Sequence, residues 1–98
     1  MLVMFDLPTV TADERKAYTT FRHFLLDSGF DMVQFSIYAR MVSSKERVTR
    51  FEKRIANAVP ERGKVQIVSI TDKQYGNIKS YYGKLSNEKK KNNQLQLF

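Results

Sequence analysis

No cysteine occurs among the 98 residues, which excludes disulfides and thiolate metal sites and fits a reducing cytoplasm. Histidine occurs once, as His23, so an acid–base triad has no material, and His23 beside an apolar helical stripe reads as structural. No run of 18 apolar residues is present, nor a charged segment leading into a hydrophobic one and a small-residue cleavage site. A cytoplasmic protein without membrane contact is therefore expected. Gly-rich phosphate loops, zinc spacings and internal repeats are missing too, which leaves nucleotide hydrolysis and zinc chemistry without a motif.

What is present suits one small folded domain. Apolar residues make up 42% and charged residues 28%, too hydrophobic for disorder and too polar for a membrane. A chain this short hides only about two-thirds of its unfolded surface, so its core is thin and a second copy is an attractive source of further burial. The net charge of +7 is unevenly placed. Seven basic and three acidic residues lie between Lys45 and Lys64, and four basic and one acidic between Lys84 and Lys91. Such a field attracts polyanions, nucleic acid first among them, although a merely lysine-rich soluble surface would show the same count.

Leu2 to Leu7 is a short apolar run halted by Pro8, the pattern of a central strand buried on both faces, with Asp6 as its exception. A strand that starts at the second residue leaves room for native residues upstream of Met1. Thr11 and Glu14 have capping-box spacing, and Tyr18, Phe21, Phe24, Leu25 and Ser28 form a helical stripe that Gly29 can end. From Phe30 to Val42 the period becomes two, Val33, Phe35, Ile37 and Ala39 alternating with Gln34, Ser36, Tyr38 and Arg40. One bent strand and two strands joined near Gln34 are both compatible, because no Gly or Asn marks a turn. Ser43 and Glu46 suggest a second capping box, followed by the stripe Val48, Phe51, Ile55 and Ala58 and by Pro60 and Gly63 as stops. Lys64 to Thr71 reads as a strand, and Gln74 to Tyr82 as a short, partly exposed element. The order predicts an α+β, ferredoxin-like βαββαβ sandwich over residues 1–85, with helices on one sheet face and the other face open to a second copy. Residues 86–98 read as a polar linker and a terminal strand, in which Leu95, Leu97 and Phe98 would add to a partner's sheet edge.

Two readings of Asp6 stay open on residues alone. It caps the Pro8 turn or pairs with an arginine; or, near a two-fold axis, it and its symmetry mate form a hard-oxygen site for Mg2+ or Mn2+. Arg15, Lys16 and Arg22 crowd the early turns of the first helix, where cations oppose the macrodipole and a ligand would explain them. Arg47, Arg50 and Arg54 share one face of the second helix and can follow a phosphate backbone, or pair internally, as Glu46 with Arg50. Tyr38, Tyr75, Tyr81 and Tyr82 lack a surrounding basic platform and read as packing or interface residues. Ser36-Ile37-Tyr38-Ala39 does not carry the aromatic signature of RNA-recognition motifs.

Val3-Met4-Phe5-Asp6-Leu7-Pro8, Val33-Gln34-Phe35-Ser36-Ile37-Tyr38 and Ile67 to Tyr75, in that order, resemble the three blocks of the CRISPR-associated endoribonuclease family, the small subunit of the spacer-acquisition complex. The middle block and the basic tail are most similar to members from type II systems. The resemblance implies a ferredoxin-like homodimer held between dimers of a larger integrase subunit, serving as a platform for duplex DNA. It also implies that Asp6 matches the family's strand-one aspartate, a magnesium ligand and catalytic residue for the nuclease activity of some members. Many members carry tyrosine where this chain has Phe5. Arg15, Lys16, Arg22 and Arg40 fall in regions that contact duplex backbone in relatives. Three functions are therefore weighed: a DNA-binding scaffold for antiviral spacer acquisition, a magnesium-dependent endonuclease on single-stranded RNA or double-stranded DNA, and a toxin-like ribonuclease acting without an integrase.

Overall fold

A computed structural model describes residues 1–85, so the expected terminal strand with Leu95, Leu97 and Phe98 lies outside the described residues. In chain order the elements are β1 (Leu2–Asp6), α1 (Ala12–Asp27), β2 (Asp31–Gln34), β3 (Ile37–Ala39), α2 (Lys45–Ala58), β4 (Lys64–Val68) and the one-turn α3 (Asp72–Gly76). The sheet runs β2-β3-β1-β4, and β1 pairs antiparallel with both neighbours. Each of the two long helices carries the chain past one intervening strand. That is the ferredoxin-like α+β arrangement.

Alternation along β1 sets the two faces apart. Val3 and Phe5 are buried, with Tyr38 and Ile67 in register beside Val3 and Val65 beside Phe5. They join Phe21 and Leu25 of α1 and Phe51 and Ile55 of α2 in a single core cluster, so both helices cover the same side. Phe5 anchors the aromatic part, its ring 5.2 Å from Phe21, 5.6 Å from Tyr38 and 5.7 Å from Tyr18. The even residues point the other way. Leu2 and Met4 are only half-buried there, with Ala39, Val68 and Ile37 as cross-strand neighbours. The expectation of a strand buried on both faces is thus met on one face only, because among the described residues no helix covers the other.

Both ends of α1 are held by local chemistry. The Thr11 hydroxyl accepts from the Glu14 N–H at 3.1 Å, and the Glu14 carboxylate accepts from the Thr11 N–H at 2.9 Å. At the other end the Phe30 N–H reaches the Leu25 carbonyl and the Gly29 N–H that of Leu26, both at 3.0 Å, with Gly29 at φ 88°. This double bond pattern satisfies carbonyls that the helix leaves without partners, and buried Phe30 packs where the motif wants an apolar residue.

The stretch from Phe30 to Val42 resolves into two strands joined at Phe35 and Ser36. Ser36 takes the left-handed conformation, φ 63°, that glycine or asparagine usually supplies, and its carbonyl accepts from the Phe5 N–H at 3.0 Å. A register shift between Met32 and Gln34 lets β2 run on past the irregularity. The faces are therefore opposite to the expected alternation: Tyr38 is buried, whereas Phe35 is 88% exposed and Ile37 and Ala39 lie on the uncovered face. Apolar residues occupy both sides here, and alternation alone does not choose between them.

Two further boundaries differ. The cap of α2 is Ser44, not Ser43, with its hydroxyl accepting from the Arg47 N–H at 3.2 Å, which leaves Glu46 one residue short of closing a capping box. β4 stops at Val68, because Thr71 and Gln74 form a reciprocal capping box of their own that starts α3. Among the described residues no helix is long and apolar enough to cross a membrane.

Candidate functional site

Asp6 ends β1 on the uncovered face, exposed, with Lys64 of β4 as its register partner. Its position depends on Gly63, whose φ of 104° lets the chain pass tightly under the strand end. A Cβ there would stand 2.7 Å from the Asp6 carbonyl oxygen and 2.6 Å from Leu7 Cδ2. Met4, Asp6, Ser36, Ile37, Lys64 and Gln66 line a shallow depression of about 300 Å³. Because the strand ends in solvent, Asp6 needs neither a buried partner nor a metal to be tolerated, which removes the premise on which its oddity rested. Among the described residues no group of three or more His, Asp or Glu side chains could hold a metal ion. One carboxylate is a poor donor set for Mg2+ or Mn2+, so a cation here would need a second Asp6 from another copy, completed by water or phosphate oxygens.

The arginines are organised more closely. At 100° per residue, Arg47, Arg50 and Arg54 fall on one flank of α2, Lys45 and Glu52 fall on the other, and Lys53 faces away from the core. Arg40, leaving β3 half-buried, reaches across to the same place. Its guanidinium sits 4.7 Å from the centre of the Phe51 ring and donates to the Ser28 carbonyl at the end of α1. Arg54 lies 5.6 Å from Phe51 and 5.9 Å from Phe24, with the Ser28 hydroxyl at 3.5 Å. The last turn of α1 carries no basic residue, so Arg40 and Arg54 supply from outside the positive charge that its carbonyls favour.

Arg47 and Arg50 have no such engagement. Glu46 does not come within 4.0 Å of Arg50, and the only ion pair among the described residues is Arg62 with Glu14, at 4.0 Å. With Arg54 and Phe51 the two exposed arginines line a depression of about 480 Å³. A second depression, formed by Thr20, His23, Phe24, Asp27, Ser28 and Arg54, adjoins it through Arg54. The rings of Phe51 and Phe24 and the buried Ser28 thus help form a groove that reading for charge alone passes over.

The other expected contacts are dispersed. Arg15 donates to the carbonyls of Val10 at 2.7 Å and Thr9 at 3.4 Å, a local reason for a cation at a helix start. Arg22, seven residues on, shares its stripe of α1, on the flank away from Phe24, and Lys16 is exposed on the outer surface. Two basic patches result. The groove of Arg47, Arg50 and Arg54 faces one side of α1, and Arg15 with Arg22 the other.

The family model described as CRISPR associated protein Cas2 matches residues 1–78, from the first strand through α3. The chain belongs to the Cas2 family. The CRISPR-associated endoribonuclease Cas2 of Flavobacterium psychrophilum is 50% identical over 99 residues, covering 100% of this chain and 86% of that protein. That of Parvibaculum lavamentivorans is 46% identical over 99 residues, covering 100% and 98%. That of Paracidovorax avenae is 49% identical over 84 residues, covering 86% and 78%. Asp6 and the whole arginine groove lie inside the span that matches the Cas2 model.

Proposed function

We propose that this Cas2 family chain is a cytoplasmic homodimer that binds duplex DNA without reading its sequence. In this reading it is the scaffold on which a larger integrase subunit of a type II system acquires spacers for antiviral defence. One observation supports it above the rest: no described helix covers the apolar face of Leu2, Met4, Ile37 and Ala39, while arginines without an ion pair among the described residues collect on the helical layer opposite. Copies that meet through their sheets keep both arginine grooves outward, where Arg47 and Arg50, with Arg15, Lys16 and Arg22, meet phosphates. Arg40 and Arg54 contribute by holding the groove. Leu95, Leu97 and Phe98 dock the integrase as an added strand in this scheme.

A second reading takes its support from the printed name of the relatives, endoribonuclease. Asp6 lies on the same uncovered face, so a sheet-to-sheet dimer is the arrangement that would bring two Asp6 carboxylates together around Mg2+ or Mn2+ for cleavage of single-stranded RNA or double-stranded DNA. One set of measurements on the full chain separates the two. The wild type is expected to be dimeric at micromolar concentration, and Met4→Lys, which plants a charge in the uncovered face, monomeric. A monomeric wild type, or duplex binding that is flat in salt, sinks the scaffold. Asp6→Asn is expected to keep dimer and duplex binding. The nuclease reading stands if that variant alone loses metal-dependent cleavage, and falls if the wild type cleaves nothing with either metal.

A further inference from the structure

Arg40 and Arg54 reach Phe51 and the end of α1, and Arg47 and Arg50 line the depression beside Phe51 and Arg54, yet the four are unequal. Arg40 and Arg54 are spent on the Phe51 and Phe24 rings and on Ser28. Arg47 and Arg50, one helical turn apart on the same flank of α2, are exposed and have no carboxylate within 4.0 Å among the described residues. Guanidinium groups crowded without a counter-ion repel one another, and an anion in the depression they line removes that repulsion. The fork of an arginine suits two oxygens of one phosphate.

We infer that Arg47 and Arg50 are a phosphate clamp, and that Arg40 and Arg54 are positioning residues that tilt α2 against α1 and hold the clamp open. The ligand is the phosphodiester backbone of nucleic acid, because two exposed guanidinium forks one helical turn apart suit successive phosphate groups. This rests on the nucleic-acid reading above and narrows it: the dominant phosphate contacts come from this groove, not from the patch of Arg15 and Arg22. Duplex and single strand present the same chemistry, and both are probed.

The test uses the full-length protein and two fluorescent probes, a short mixed-sequence duplex and one of its strands, over a range of salt. Each phosphate neutralised on a duplex contributes about 0.9 to the slope of log affinity against log salt, so Arg47→Gln with Arg50→Gln should lower it by about 1.8 for each groove that touches the probe. At about 0.1 M salt that corresponds to a weakening of roughly 60-fold. Lys45→Gln with Lys53→Gln removes the same charge from the same helix outside the depression that Arg47 and Arg50 line and should weaken binding several-fold at most. All of these side chains are exposed, and unchanged melting temperatures would show that the folds are intact.

If the lysine pair weakens binding as much as the arginine pair, the effect is one of overall charge and the clamp does not exist. If Arg15→Gln with Arg22→Gln abolishes binding while the Arg47 and Arg50 pair leaves it intact, the clamp fails and the nucleic-acid reading survives. If the wild type binds neither probe, both fail together. A loss with the duplex alone, or with the strand alone, supports the clamp and names which form of backbone it takes.

Discussion

Gly63→Ala is the most informative single-atom change in the molecule, because it presses on the strand end that carries Asp6. The φ of 104° is a region that an L side chain enters at a cost of about 1–2 kcal/mol. The new methyl would also meet the Asp6 carbonyl oxygen at 2.7 Å and the Leu7 Cα at 3.0 Å, both backbone atoms that cannot swing aside. Overfilling a packed site of this kind costs about 1–3 kcal/mol, so the sum is about 2–5 kcal/mol. Against a total stability of roughly 5–15 kcal/mol that is a large fraction, and it should lower the melting temperature by roughly 10 °C or more. Gly76→Ala is the matched control. It ends α3 with nothing within 4 Å of the added carbon and an ordinary φ, so it should be neutral or stabilising by up to about 1 kcal/mol. Thermal melts of both variants decide the matter: a Gly63→Ala protein that melts as high as Gly76→Ala would refute the close approach under β1.

Two other outcomes follow from the same packing. Arg40→Gln should cost about 2 kcal/mol in urea titrations, since it removes a charged hydrogen bond to the Ser28 carbonyl and the stacking on Phe51, and high salt should leave most of that cost in place; a loss below about 0.5 kcal/mol would show the contact to be idle. Hydrogen bonds from the Thr11 and Val10 N–H groups hold the half-buried Glu14 carboxyl below its ordinary range, so its contribution is present above the unfolded-state value and is lost as pH falls through the lowered one. The wild type should therefore lose melting temperature more steeply on the acid side than Glu14→Gln, whose amide can still cap the helix, and parallel curves would disprove it.

Much of this was legible where one residue type has one physical use. Thr11 and Glu14 at capping spacing, and Gly29 as the only residue near the end of α1 suited to positive φ, marked both ends of α1 because the local hydrogen bonds need no tertiary support. The hairpin was not legible, since Ser36 does a glycine's work only with Phe5 and Tyr18 packed against it. The cap of α2 slipped by one residue because Ser43 and Ser44 are chemically alike and only the fold selects between them. Asp6 stands out in the sequence because its neighbours are apolar, but strand parity puts it on the open side. The arginine stripe on α2 followed from spacing, whereas the reach of Arg40 to Ser28, twelve residues back, belongs to the packing of β3 beneath the helices.

The parity of β1 divides one five-residue strand between two kinds of obligation. Val3 and Phe5 answer to the chain's own helices, and a polar residue at either should be felt as less folded protein in any cell that makes it. Leu2 and Met4 answer to whatever settles against the open face, and changes there should leave the amount of protein nearly constant while altering what it assembles into. Adjacent positions in the same strand would then tolerate different substitutions, for reasons that never meet within a single copy.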